Sequence, residues 1–271
     1  MNERIKIGFI GYGNMAQAIA KGLIEGNACD KEQIFACASR FDKLSKNAEK
    51  LGITAVQTPE ELVAQSDIAV IAVKPVQVEA VIAPLAELLA SKVVVSIAAG
   101  YPFEKYERIL KPHTHHISTI PNTPISVGEG IMICENRHSL SEEEFALFSE
   151  LFGRIAIVES VDSRLLSVAG TISGCTPAYT AMYMEALADA GVKHGLSRDT
   201  AYRMVAKMLC GTGKLYLESE LHPGAMKDAV CSPGGDTIKG VAALEKYGFR
   251  GAVIEAIDAV EDRVSLYTER D

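Results

Sequence analysis

The sequence predicts an α/β protein, with an N-terminal doubly wound domain, residues 1–160, followed by an all-helical domain, residues 161–271. Three observations carry that reading. Short apolar runs of strand length alternate with capped helical stretches through the first half. Strand signals vanish after Val161. Glycine-rich turns follow several of the strands, and the carboxyl ends of strands are where open α/β sheets bind ligands.

The strands fall at 6–10, 33–38, 68–73, 93–97 and 115–120. They are short and rich in apolar or β-branched residues, as a sheet covered on both faces requires. Thr58-Pro59-Glu60-Glu61 predicts a helix start. It offers an N-cap, Pro at the first helical position and Glu at the third, the pattern of a capping box. Ser141 followed by Glu144 repeats the cap and the third-position Glu. Residues 162–193 read as one long apolar helix that Gly170, Gly174 and Pro177 bend or open. Ser197 caps the next helix, which runs to about Ser219. His222-Pro223 starts another, which must end before Ser232-Pro233 because the residue before a proline avoids the helical region. A helix restarts near Asp236-Thr237 with Asp236 as its N-cap, and the last runs from about Phe249 to the chain end. Leu165, Leu166, Val168, Ala169, Tyr179, Met182, Tyr183, Ala186 and Leu187 give these helices broad apolar faces. A layer of that size cannot bury them alone. A homodimer, or a ring of dimers, is therefore expected.

Composition excludes several classes. The 271 residues are 48% hydrophobic and 23% charged, ordinary values for a globular protein. The formal charge of −8 disfavours nucleic acid and anionic membrane as partners, so an anionic substrate has to be held by local donors. Six cysteines, at 29, 37, 134, 175, 210 and 231, include no C-x-x-C pair and read as reduced thiols. The first residues enter a strand and then glycines, without the pattern of a cleaved leader. The longest apolar runs fall far short of a bilayer's thickness. A soluble, cytoplasmic protein is the expectation.

Gly11-x-Gly13-x-x-Ala16 follows the first strand and opens a helix at Asn14, Met15 and Ala16. In this Rossmann-type frame the first glycine permits a tight turn and the second lets a pyrophosphate approach the backbone. The small third residue seats helix on sheet, and the helix N-terminus receives the negative charge. The same residues also suit a plain small-residue turn. The second strand ends Ala38-Ser39-Arg40. An acid there would grip a ribose 2′-hydroxyl, whereas a hydroxyl and a cation suit a 2′-phosphate. NADPH is the expected cofactor, with NADH as the alternative. Val73-Lys74-Pro75 and Ala98-Ala99-Gly100 end later strands on the same side of the sheet, and Lys74 is read toward phosphate or ribose.

Ser232-Pro233-Gly234-Gly235 places a Gly-Gly turn just before the restarting helix. Backbone N–H groups of Gly235 and Asp236, with the Thr237 hydroxyl, would make an anion pocket there. A helix–turn–helix corner shaped only by glycines uses the same residues. His113, His115 and His116 cluster, but neighbouring strand residues point to opposite faces and no acid has a matching spacing. No metal is expected.

Several segments together, in this order, resemble one family over nearly the whole chain. They are Gly8-Phe9-Ile10-Gly11-Tyr12-Gly13-Asn14-Met15-Ala16, Ala72-Val73-Lys74-Pro75, Ser96-Ile97-Ala98-Ala99-Gly100 and Pro121-Asn122-Thr123-Pro124. Ser173-Gly174-Cys175-Thr176-Pro177-Ala178-Tyr179, Glu185-Ala186-Leu187-Ala188-Asp189-Ala190-Gly191-Val192 and the stretch from Lys227 to Gly240 complete them. The family is Δ1-pyrroline-5-carboxylate reductase. The resemblance implies reduction of a cyclic imine to L-proline with a hydride from NAD(P)H. It places Val73, Lys74, Pro75, Ala98, Ala99 and Gly100 beside the nucleotide and nicotinamide, with Asn122 and Pro124 closing the nicotinamide pocket. It places the substrate carboxylate on Ser232, Gly234, Gly235, Asp236 and Thr237. Thr237 would also lie near the imine nitrogen, as a hydrogen-bonding group. Cys175, Thr176 and Asp236 depart from the family pattern, which keeps a catalytically silent NADP-binding regulator in view. A related hydroxy-acid dehydrogenase would need a lysine on the 162–193 helix, which has none before Lys193.

Overall fold

The computed structural model describes residues 5–268; residues 1–4 and 269–271, which the first domain and the last helix were expected to include, lie outside the described residues. The chain forms two compact units, Met1–Gly174 and Cys175–Asp271. In chain order the first unit holds β1 (Ile7–Ile10), α1 (Asn14–Glu25), β2 (Ile34–Cys37), α2 (Phe41–Leu51), β3 (Thr54–Ala55), α3 (Pro59–Gln65), β4 (Ile68–Ile71) and α4 (Val78–Ile82). It continues with α5 (Ala86–Leu89), β5 (Val93–Ser96), α6 (Phe103–Glu107), β6 (His115–Pro121), β7 (Gly130–Glu135), α7 (Glu142–Gly153), β8 (Ala156–Val161) and α8 (Leu166–Gly174).

The strands make one sheet in the order β3-β2-β1-β4-β5-β6-β7-β8. β3 through β6 pair in parallel, with Ile7 opposite both Ile34 and Ile68. β7 then runs antiparallel to β6, and β8 parallel to β7. The order reverses between β1 and β4, so a crevice opens at their carboxyl ends, the usual ligand site of a doubly wound sheet. The wholly apolar β1, β2 and β4 are explained by their cover on both faces. Phe9, Ile19, Leu23, Phe148 and Phe152 pack on one side, and Leu62, Ile71, Ile82, Leu89 and Tyr106 on the other.

The predicted strands lie where expected, and three more join them. β3 is two residues long. β7 and β8 extend the sheet beyond β6. Ser141 and Glu144 form a reciprocal capping box at the start of α7. At α3 only half of one forms. Thr58 Oγ1 accepts the Glu61 N–H at 3.2 Å, but the Glu61 carboxylate accepts from Gln57, one residue before the cap.

The 162–193 segment is two helices. The break falls at Gly174-Cys175, and Gly170 does not interrupt α8. A Cβ on Gly170 would meet Ile120 Cδ1 at 2.9 Å, so this glycine serves close packing of α8 on β6. α8, read from the sequence as part of the helical domain, lies in the first compact unit, and Leu166 on it is buried.

The second unit contains α9 (Thr176–Lys193), α10 (Arg198–Ser219), α11 (Pro223–Ala229), α12 (Asp236–Lys246) and α13 (Phe249–Thr268). Ser197 caps α10 by accepting the Thr200 N–H, and His222 caps α11 by accepting the Gly224 N–H. Among its described residues the only buried hydrophobic side chains are Ala188 and Ala201. Met182 is 68% exposed, Met204 58% and Ile254 62%, so the predicted excess of apolar surface is present.

Candidate active site

The crevice is built first from backbone. Gly11 leaves β1 with φ +93°, and its N–H donates to the Cys37 carbonyl at 2.9 Å, tying the ends of β1 and β2. A Cβ on Gly11 would stand 2.7 Å from the Ala72 carbonyl oxygen, so the fold itself demands glycine here. Gly13 differs. Its φ of −79° suits any residue, and a Cβ there would meet no atom within 4 Å. Nothing in the chain requires Gly13 to be small. Ala16 is buried in the core, where its size seats α1 on the sheet.

α1 begins at Asn14 with no side-chain cap on its N-terminus and no acid in its first turn. Its first N–H groups therefore point to the crevice end without intrahelical partners, an anion-binding arrangement. The cavity at this end has a volume of about 470 Å³. Gly11, Gly13, Ser39, Arg40, Val73 and Lys74 line it, all anticipated from the sequence. Tyr12, Lys43, Asn47, Gln57 and Gln77 line it too and were missed. Arg40, Lys43 and Lys74 bring three cations, and no carboxylate is among the lining residues. In a chain of net charge −8 this is a local reversal that favours an anionic ligand. Cys37 lines the floor, and burial pushes its thiol up to about 11. Burial likewise pushes the Tyr12 hydroxyl up to about 12, so it stays protonated.

The other anticipated residues lie outside this cavity. Met15 is partly buried against the core, and Asn14 lines a neighbouring cleft between α1 and α2 with Gln17, Lys21 and Lys50. Pro75 opens the short 3-10 turn Pro75–Gln77. Ala98, Ala99 and Gly100 form a tight turn after β5, closed by the Tyr101 N–H on the Ala98 carbonyl, with Gly100 at φ +73°. Asn122 is 5% exposed and acts as a clamp. Its Oδ1 accepts the Ile131 N–H at 2.8 Å and its Nδ2 donates to the Ser173 carbonyl at 3.1 Å. It holds the end of β6, β7 and the last turn of α8 together. Pro124 lies in the 3-10 turn Thr123–Val127, which α1 approaches so closely that a Cβ on Gly22 would meet the Ile125 carbonyl oxygen at 2.2 Å.

In the second unit, Ser232-Pro233-Gly234-Gly235 folds as a turn with Gly234 at φ +71°. The Gly235 N–H closes it on the Ser232 carbonyl at 3.0 Å. This corrects the expected donor set, because Gly235 uses its N–H inside the turn. Gly235, not Asp236, is the N-cap of α12, and it has no side-chain cap. Asp236 is the first helical residue, and its carboxylate turns to solvent to pair with Lys239 at 3.0 Å. The free donors are therefore the N–H groups of Asp236, Thr237 and Ile238, with the Thr237 hydroxyl beside them, all at the exposed head of one helix. Lys227 and Asp228 form an ion pair on the preceding helix and its end.

Two of the three clustered histidines, His115 and His116, are engaged by carboxylates, and His113 is exposed. His115 Nδ1 meets Glu144 Oε2 at 2.6 Å, and His116 Nε2 meets Glu107 Oε1 at 2.7 Å while stacking on Phe103. Among the described residues no group of three His, Cys, Asp or Glu could hold a metal ion.

Two family profiles match the chain. The one described as pyrroline-5-carboxylate reductase dimerisation covers residues 163–266, and the one described as NADP oxidoreductase, coenzyme F420-dependent, covers residues 6–100. The chain is 43% identical to a pyrroline-5-carboxylate reductase of Treponema pallidum, over 94% of this chain and 98% of that protein. It is 38% identical to the Escherichia coli protein of the same name, over 93% of this chain and 94% of that one. A solved structure of pyrroline carboxylate reductase from Plasmodium falciparum, with NADP bound, covers 96% of this chain and 97% of its own, with a TM-score of 0.85 and 31% identity.

Proposed function

The chain belongs to the pyrroline-5-carboxylate reductase family, and from that premise we propose which of its residues carry the reaction. It reduces the C=N bond of Δ1-pyrroline-5-carboxylate to L-proline by hydride transfer from NAD(P)H. The observation that carries the assignment of the first-unit crevice is its lining: three cations, no acid, and a Gly13 that only a ligand needs to be small. The cofactor supplies the hydride. Ser39 and Arg40 hold its 2′-phosphate end, and the head of α1 from Asn14 to Ala16 receives the pyrophosphate. Lys74 faces phosphate or ribose. Ala98, Ala99, Gly100, Asn122 and Pro124 shape the nicotinamide end, and Asn122 does so as a clamp, since its side chain is already bonded to Ile131 and Ser173.

The substrate carboxylate is held at the head of α12. Support comes from the unpartnered N–H groups of Asp236, Thr237 and Ile238 and from the outward turn of the Asp236 carboxylate toward Lys239. That turn keeps a negative charge off the anion seat. Ser232 and Gly234 act by shaping the loop. A protonated imine carbon is already electrophilic, so positioning is the main task. Thr237 offers its hydroxyl as a hydrogen bond near the imine nitrogen; a hydroxyl is too weak an acid to drive protonation.

The chain self-associates through its second unit. The finer reading is a homodimer with interleaved helical domains, able to assemble further as a ring of dimers. It is supported by the near absence of buried apolar side chains there. The domain limits 1–160 and 161–271 are kept as functional limits, in keeping with the dimerisation profile over residues 163–266. No helix among the described residues is long and apolar enough to cross a membrane. A cytoplasmic site of action is supported by six free thiols. The test is a spectrophotometric assay with pyrroline-5-carboxylate and NADPH. Substrate-dependent loss of NADPH absorbance with proline formed is the expected result; no turnover would leave a silent cofactor-binding protein.

A further inference from the structure

We propose that Lys43 is a second cation of the 2′-phosphate seat and a determinant of NADPH over NADH. The proposal rests on the assignment of the first-unit crevice to the dinucleotide. Arg40 is the N-cap of α2 and Lys43 is the third residue of that helix. The Leu44 N–H donates to the Arg40 carbonyl at 3.0 Å, so both cations hang from one closed turn. Both line the crevice, as does Ser39 just before them.

Their charges are uncommitted. Among the described residues neither Arg40 nor Lys43 makes an ion pair, whereas Lys21, Lys111, Arg137 and Arg164 of the same unit each hold a carboxylate. The acids of α2, Asp42 and Glu49, are not among the lining residues. α2 also has no side-chain cap, which leaves first-turn N–H groups open at the same place. Two free cations, a hydroxyl and backbone donors on one turn match a dianion. A ribose 2′-hydroxyl, which must donate a hydrogen bond, finds no carboxylate there. Lys74 is set apart from this pair, since it follows β4 on the other side of β1.

The experiment measures NADPH and NADH dissociation constants on the full chain, wild type and Lys43→Gln, with 2′,5′-ADP as competitor. Lys46→Gln is the control, because Lys46 is exposed on the same helix and lines neither cleft. Lys43→Gln should weaken NADPH about five- to twentyfold and NADH by less than about twofold, as loss of one partly exposed charge-assisted contact allows. Lys46→Gln should leave both constants in place. Equal losses for the two cofactors, or no loss for NADPH, would overturn the role of Lys43. Failure of 2′,5′-ADP to displace NADPH from wild type would instead overturn the crevice assignment on which it stands.

Discussion

The two units solve the burial problem differently. The first covers an eight-stranded sheet on both faces, with Phe9, Leu23, Phe148, Phe152, Leu62 and Tyr106 fully enclosed. The second has five helices and two buried alanines among its described residues. A sheet offers two flat faces to long aliphatic side chains, so one chain can finish that core. The five helices of the second unit do not, and the dimerisation profile that covers them accounts for their exposed apolar surface. The first unit therefore buries its own core, whereas the second leaves much apolar surface exposed within one chain.

That contrast can be broken most severely in the core. Phe152→Ala, which removes a buried ring 4.7 Å from Phe148, should destabilise by about 3–5 kcal/mol. Denaturant midpoints should show the same loss at every protein concentration. Replacing Met208 and Leu215 of α10 with Asp should cost about 2–4 kcal/mol, read as weaker association in sedimentation. Here the apparent stability should depend on dilution. A concentration-independent loss would mean that α10 is buried within its own chain.

Two glycines two residues apart, Gly11 and Gly13, sharpen the same comparison inside the crevice. Gly11→Ala meets both a left-handed φ and the Ala72 carbonyl, and should lower thermal stability by about 2–3 kcal/mol. Gly13→Ala has open space around its Cβ and should leave stability within about 0.5 kcal/mol. NADPH affinity should nonetheless fall roughly tenfold, or about 1.4 kcal/mol. Unchanged cofactor affinity in Gly13→Ala would detach that turn from the ligand. In the second unit, Thr237→Ala should lower kcat/KM ten- to a hundredfold, about 1.4–2.7 kcal/mol, with no change in association. Unaltered kinetics would take Thr237 out of the site.

What the sequence made legible follows from how each signal is stored. β1, β2, β4 and β5 are buried on both sides and stand out as apolar runs. β3 is too short to have a period, and β8 mixes exposed Glu159 and Ser160 into an edge position. The glycine turns were readable because loop backbone imposes residue type locally. Lys43, Asn47 and Gln57 were not, because whether a side chain near a helix reaches a ligand depends on how that helix docks on the sheet. Asp236 misled for a related reason. As a single residue it fits an N-cap, yet the turn closed by Ser232 and Gly235 shifts the cap one place earlier.

The cysteines described as reduced fall into two chemical populations along the same divide. Burial raises the thiols of Cys29 and Cys37 to about 11 and that of Cys134 to about 12, while Cys210 on α10 is exposed. Only a thiolate alkylates quickly. A maleimide or iodoacetamide label should therefore modify Cys210 before the buried thiols. Cys37 and Cys134 should react only when the sheet itself opens. The chain thus carries an open thiol and a pair of sealed ones, and the labelling of the sealed pair times the unfolding of the sheet.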